Sequence, residues 1–145
     1  MPYTGVGVIE DGIAERLKAT AGVSALVSAR VYVTRAPEDT TFPFIVISKQ
    51  PGEMHNALTS GGRTAIETAS VSVNCWGLTY ESARNVAAQV GHAIDGQAGT
   101  WGTEEVMYCG CESHQDISQQ PSQDDEIGYP GIGLIFKAIY RVPLS

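Results

Sequence analysis

The sequence predicts an α+β fold: a mainly antiparallel sheet with two helices packed on one face, in the order α-β-β-β-α-β-β. Three observations carry this. Ala69, Val71, Val73 and Cys75 alternate with Thr68, Ser70, Ser72 and Asn74, the period of a half-buried strand. The period then changes: Tyr80, Ala83, Ala87, Val90 and Ile94 fall at helical spacing. Near the end, Ile132, Leu134, Phe136, Ala138, Tyr140 and Val142 share one parity and form a second long strand face.

The remaining elements follow in order. Residues Met1 to Gly7 hold Pro2, Gly5 and Gly7 and read as a mobile arm of a single domain spanning 1–145. A first helix runs from about Val8 to Ala21, with Ile9, Ile13 and Leu17 on its apolar side and Gly22 at its end. A short helical turn, Val23 to Val27, follows. Arg30 to Val33 is a short strand. Phe44 to Ser48 is the next, opened by Pro43 and apolar on both parities, so both faces need cover from core or from a neighbouring subunit. Pro51 to Arg63 reads as a polar, glycine-bearing loop. Gly77 turns the chain between the central strand and the second helix, which Thr79 caps and Glu81 begins. Asp95 to Gly99 is a turn, Thr103 to Ser113 a strand, and His114 to Gly131 a polar loop before the last strand.

The chain has 145 residues, 43% hydrophobic and 17% charged, with a formal charge of -7. That is a globular composition with fewer charges than the roughly 25% of an average domain, which leaves neutral surface for subunit contacts. No Lys/Arg run provides a phosphate-binding patch, so specific nucleic-acid binding is not expected. No apolar run reaches the roughly 20 residues of a membrane helix. No basic stretch followed by an apolar core marks a secretion signal. Three cysteines, an odd number, fit free thiols in a reducing cytoplasm.

Cys109, Cys111 and His114 form the most site-like cluster, and Cys75 is a further thiol. One residue between the paired cysteines departs from the roughly two to four of structural zinc sites. The simpler reading is that Cys109 and Cys111 share a strand face with Met107 as small hydrophobes. Cys75 lies on the expected core face, a poor setting for a nucleophile. Glu104 and Glu105 are strand neighbours that point to opposite faces and do not converge on one substrate. Neither glycine pair, Gly5/Gly7 or Gly131/Gly133, belongs to a nucleotide-binding loop. No enzyme, metal or cofactor is expected.

Several short motifs occur in a distinctive order. They are Val23-Ser24-Ala25-Leu26-Val27 after the first helix, Arg30-Val31-Tyr32, Ala36-Pro37, Phe42-Pro43-Phe44-Ile45-Val46, Val71-Ser72-Val73-Asn74-Cys75-Trp76, Thr79-Tyr80 with Ala83, and the closing strand Phe136 to Arg141. In this order the chain resembles the tail terminator, or tail-completion, family of long-tailed bacteriophages, prophages and gene transfer agents. Gln97 to Pro130 carries none of these motifs.

The resemblance implies a structural virion protein at the head-proximal end of the tail, assembled in the host bacterial cytoplasm. It implies a homo-hexameric ring that caps the major tail tube protein, ends polymerisation, and meets the head-tail connector or stopper protein, with DNA passing through. Other readings are a different connector or tail-tube component, or a small cytoplasmic ligand-binding α+β domain. A ring needs head-to-tail contacts that close by rotation. Phe44, Val46, Ser48 and Trp76 are the expected subunit contacts. Glu53, Met54, His55, Asn56 and Leu58 are the expected tube-binding segment. Glu104, Glu105 and Glu112 belong to a stretch with no Lys or Arg between Asp95 and Lys137, and are candidates to face the lumen, where negative charge repels phosphate.

Overall fold

The structure, a computed structural model, describes residues 9–37, 40–49, 53–56, 64–102, 104–119 and 129–143. The expected arm, 1–7, lies outside them. Helix α1 (Ile9–Ala19) buries Ile9, Gly12, Ile13, Ala14 and Leu17, the face expected from their spacing. The Thr20 hydroxyl donates to the Arg16 carbonyl at 2.7 Å, and a new helix starts directly after it. This helix, α2 (Ala21–Val27), corrects two expectations: the short turn is a seven-residue helix, and Gly22 lies inside it rather than ending α1. Val23 and Val27, one turn apart, are its only buried residues, too few to show a period in sequence.

Strands β1 (Val31–Val33), β2 (Phe44–Lys49), β3 (Glu53–Asn56) and β4 (Thr64–Trp76) come next. Helix α3 (Tyr80–Ile94) follows, capped as expected: the Ser82 N–H donates to Thr79 Oγ1 at 3.1 Å. The chain closes with β5 (Gln97–Trp101), β6 (Glu104–Gln119) and β7 (Tyr129–Pro143). Together they make one sheet in the order β1-β2-β4-β7-β6-β5, with β3 beside β4. Every pairing is antiparallel except β1 with β2, so the fold class read from sequence holds. Segments read as turn or loop are strand instead: Glu53–Asn56, the Gln97–Gly99 start of β5, the continuation of β6 to Gln119 and the Tyr129–Gly131 start of β7.

The core lies on one side of the sheet. Val71, Val73 and Cys75 of β4 and Phe136, Ala138 and Tyr140 of β7 are wholly covered, together with Leu17, Val23, Val90 and Ile94 from the three helices. Burying each such aliphatic side chain contributes about 1.5–3 kcal/mol. Trp101, on β5, extends this core beneath α1. A Cβ added at Gly12 would stand 2.5 Å from the Trp101 carbonyl oxygen, so a glycine is what lets helix and strand touch. Arg16 locks the same corner: its Nε donates to the Ala93 carbonyl at 3.2 Å, and its guanidinium lies 5.9 Å from the Trp101 ring centroid.

Candidate interaction surface

The face of the sheet opposite the helices carries the residues expected at a subunit contact. Register places Phe44 beside Trp76, Val46 beside Asn74 and Ser48 beside Ser72, and β7 continues the row with Gly131, Gly133 and Ile135. No described element packs over this face. Val46, Ser48, Ser72, Asn74, Trp76 and Ile135 are half-buried. Phe44 is an exception: it is only 6% exposed yet stands apart from the helix-side core. Its ring is covered within the chain by Phe42 at 5.0 Å and Tyr32 at 6.4 Å between centroids. Phe42 in turn stacks on Tyr129 at 4.6 Å. The expected two-sided cover of β2 is thus met by the core under Ile45 and Ile47 and by this aromatic cluster over Phe44.

The expected tube-binding segment divides. Glu53, Met54, His55 and Asn56 form β3, paired with Thr68, Glu67, Ile66 and Ala65. Leu58 lies outside the described residues. The acidic residues also separate. Glu105 is exposed beside Arg141, with 3.9 Å between Nε and Oε2. Glu104 starts β6, paired with Trp101. Glu112 is exposed at a bulge, where the register steps from Cys111 to Ser113.

Sequence reasoning missed a groove between α3 and the far half of β6 and β7. Its volume is about 580 Å³, its floor is Ala87, Ile132 and Leu134, and its rim carries Arg84, His114 and Asp116. The Tyr80 hydroxyl donates to Asp116 Oδ1 at 3.1 Å across the mouth, which raises the Tyr80 pKa because the anion would face a carboxylate. Tyr80 and Asp116 are 36 positions apart, and no local pattern links them.

The three thiols are free. Burial drives Cys75 far above the ordinary thiol range and pushes Cys109 up to about 12, with the Asp95 carboxylate adding to the latter. Cys111 is exposed, and partial desolvation and Asp95 raise it as well. A nucleophile or metal ligand needs a thiolate, and these surroundings disfavour one. Among the described residues, no three His, Cys, Asp or Glu side chains converge as metal ligands, and no helix is long and apolar enough to cross a membrane.

Comparison with known proteins bears on the fold and the family. No curated protein sequence matches the chain. Among solved structures, a chain of the "Virion of native gene transfer agent (GTA) particle" has the same fold, with a TM-score of 0.64 at 21% identity over 97% of this chain and 99% of that one. The family model described as "Tail completion protein gp17" matches residues 11–121, from α1 to the end of β6 and across part of the stretch that lacked recognisable motifs. The protein is therefore a member of the tail completion protein gp17 family, a structural family and not an enzyme family.

Proposed function

We propose that the protein is a virion component that closes the tail tube. Six copies form a ring on the last ring of major tail tube protein, stop its polymerisation and present a joining surface to the head-tail connector or stopper, with DNA passing through the bore. The family match over residues 11–121 is the observation that carries this reading. The bare sheet face with Val46 and Trp76 supports it, because head-to-tail rings need two unlike surfaces on each copy. Glu53, Met54, His55, Asn56 and Leu58 supply the contact with the tube. Glu104, Glu105 and Glu112 line the bore.

The test is to add purified protein to polymerising tail tube protein and measure tube lengths and end structure by electron microscopy. Tubes are expected to stop growing and to carry a six-fold cap. Unchanged tube growth beside a protein that stays monomeric overturns the proposal and favours a ligand-binding domain that uses the groove beside Tyr80.

A further inference from the structure

Among the described residues, two edges of the sheet have no strand on their outer side, and they match. The first belongs to β6. Strand β5 covers only its near half, ending at Gln97 beside Cys109. The Gly96 N–H then donates to the Cys109 carbonyl at 2.6 Å, and Asp95 Oδ1 takes the Cys111 N–H at 2.8 Å. Beyond that point no described strand lies on the outer side of β6, yet the strand runs on to Gln119. Cys111 to Asp116 are exposed one after another. Proteins usually blunt such an edge with proline, lysine or brevity. Here there is neither a proline nor a lysine from Cys111 to Gln119, and the only irregularity is the bulge at Glu112.

The second edge is β1, at the other end of the strand order. The Arg30 carbonyl and the Thr34 N–H bond to β2, through the Ile45 N–H and the Ile47 carbonyl. By alternation, Val31 and Val33 turn their backbone groups away from β2. Val31 N–H is held locally by the Ala29 carbonyl, and the Val33 carbonyl by the Arg35 N–H, at 2.8 and 2.9 Å. That leaves the Val31 carbonyl and the Val33 N–H facing outward, with a tight turn on each side to prevent the register from sliding.

We infer that β6 of one copy takes β1 of a second copy as its next strand, which continues the sheet from subunit to subunit. Strand direction agrees. β1 runs parallel to β2, and three antiparallel steps through β4 and β7 leave β6 opposed to β1, so the joint is antiparallel. Side-chain facing agrees too. Tyr32 pairs with Val46 on the bare face, as Gln115 pairs with Gly133 there, so Tyr32 set against Gln115 keeps the helix layers on one side. That register brings exposed Arg35, just past the turn that ends β1, to the same end of the joint as exposed Glu112 at its bulge, a meeting of opposite charges that the register two residues further along, with Tyr32 against Ile117, does not give. The joint is short and head-to-tail, so it closes a ring only when every copy is in place.

This inference rests on the ring reading, and one experiment separates the two. Arg35→Glu, Glu112→Arg and the double variant are compared with the wild type by light scattering and electron microscopy, free and on tail tubes. His114→Pro is a fourth variant: it sets the proline ring on the open side, where Val33 of the incoming strand would lie, and leaves the β7 ladder intact. The expected result is rings for the wild type, loss of rings for each single variant and for His114→Pro with monomer stability retained, and recovery in the double variant. Wild-type rings with unaffected single variants, or a double variant that fails to recover, overturn the strand joint and leave the ring standing. A wild type that never forms rings on tubes overturns both.

Discussion

Trp76 and Gly131 are partners across β4 and β7, and the indole fills the space that a side chain at position 131 would need. A Cβ there would stand 2.7 Å from Trp76 Cε3 and 3.0 Å from Ile117 Cγ1. Gly131→Ala is expected to tilt the half-buried indole outward and cost about 1 kcal/mol, the low end of overpacking. Of the two tryptophans, Trp101 is buried. A red-shifted emission that accompanies the loss of stability therefore reports on Trp76.

Trp76→Ser separates contact from core. The indole packs on a glycine on the bare face, outside the helix-side core. The variant is expected to lose ring assembly at concentrations where thermal melting of the monomer is little changed, since aromatic anchors dominate many interfaces. A melting temperature that falls while rings persist reverses the assignment.

Gly12→Ala runs against helix propensity. An exposed mid-helix glycine gains about 1 kcal/mol on becoming alanine. At Gly12 the new methyl would meet the Trp101 carbonyl at 2.5 Å, and that carbonyl belongs to a strand held by pairing with Glu104. The net expectation is destabilisation by about 1–2 kcal/mol, read from denaturant midpoints.

The two faces of β4 predict opposite outcomes for neighbouring substitutions. Val73 is wholly covered by the helix layer, so Val73→Asp places an unpaired carboxylate in the core, costs several kcal/mol and abolishes soluble folding. Ser72, half-buried on the other face, tolerates aspartate. Expression and circular dichroism of the pair check this, and equal behaviour would falsify the strand register.

Thiol labelling should show one fast and two slow cysteines. Cys111 is exposed, whereas Cys75 and Cys109 are buried. Both buried thiols have folded-state values raised above the unfolded value near 9.0, with Cys109 at about 12. Their stabilising contribution is therefore complete below pH 9 and is lost as pH rises from there through the folded-state values. Stability is expected to fall above pH 9, and by less in a Cys109→Ala variant. Alkaline denaturation series measure both.

The long elements were legible because their burial follows a period. Val71, Val73 and Cys75, and Ile132, Leu134, Phe136, Ala138 and Tyr140 of β7, are buried at every second position. The missed strands have no such signal. β5 buries only Trp101 among its five residues, and Gly96, Gly99 and Gly102, all at positive φ, read as turns. From Cys111 to Asp116 β6 is exposed residue after residue and is fixed through its ladder with β7, which a pattern of side chains does not display. The strand that carries Trp76 was legible in the alternation of Ala69, Val71, Val73 and Cys75. The groove at Tyr80 and Asp116 depends on a fold-level meeting that neither residue announces.

The pairing of β4 with β7 also has a mechanical meaning. Thirteen consecutive residues of β4 have partners on β7, from Thr64–Pro143 to Trp76–Gly131. A force directed along these strands strains the whole ladder in shear, so its hydrogen bonds must fail together. A force that peels one strand sideways breaks them one by one. The protein is therefore stiff along the strand axis and weak across it, and pulling single molecules between Thr64 and Gly131, at opposite ends of the paired ladder, should give a far higher rupture force than pulling Thr64 and Pro143 apart at one end.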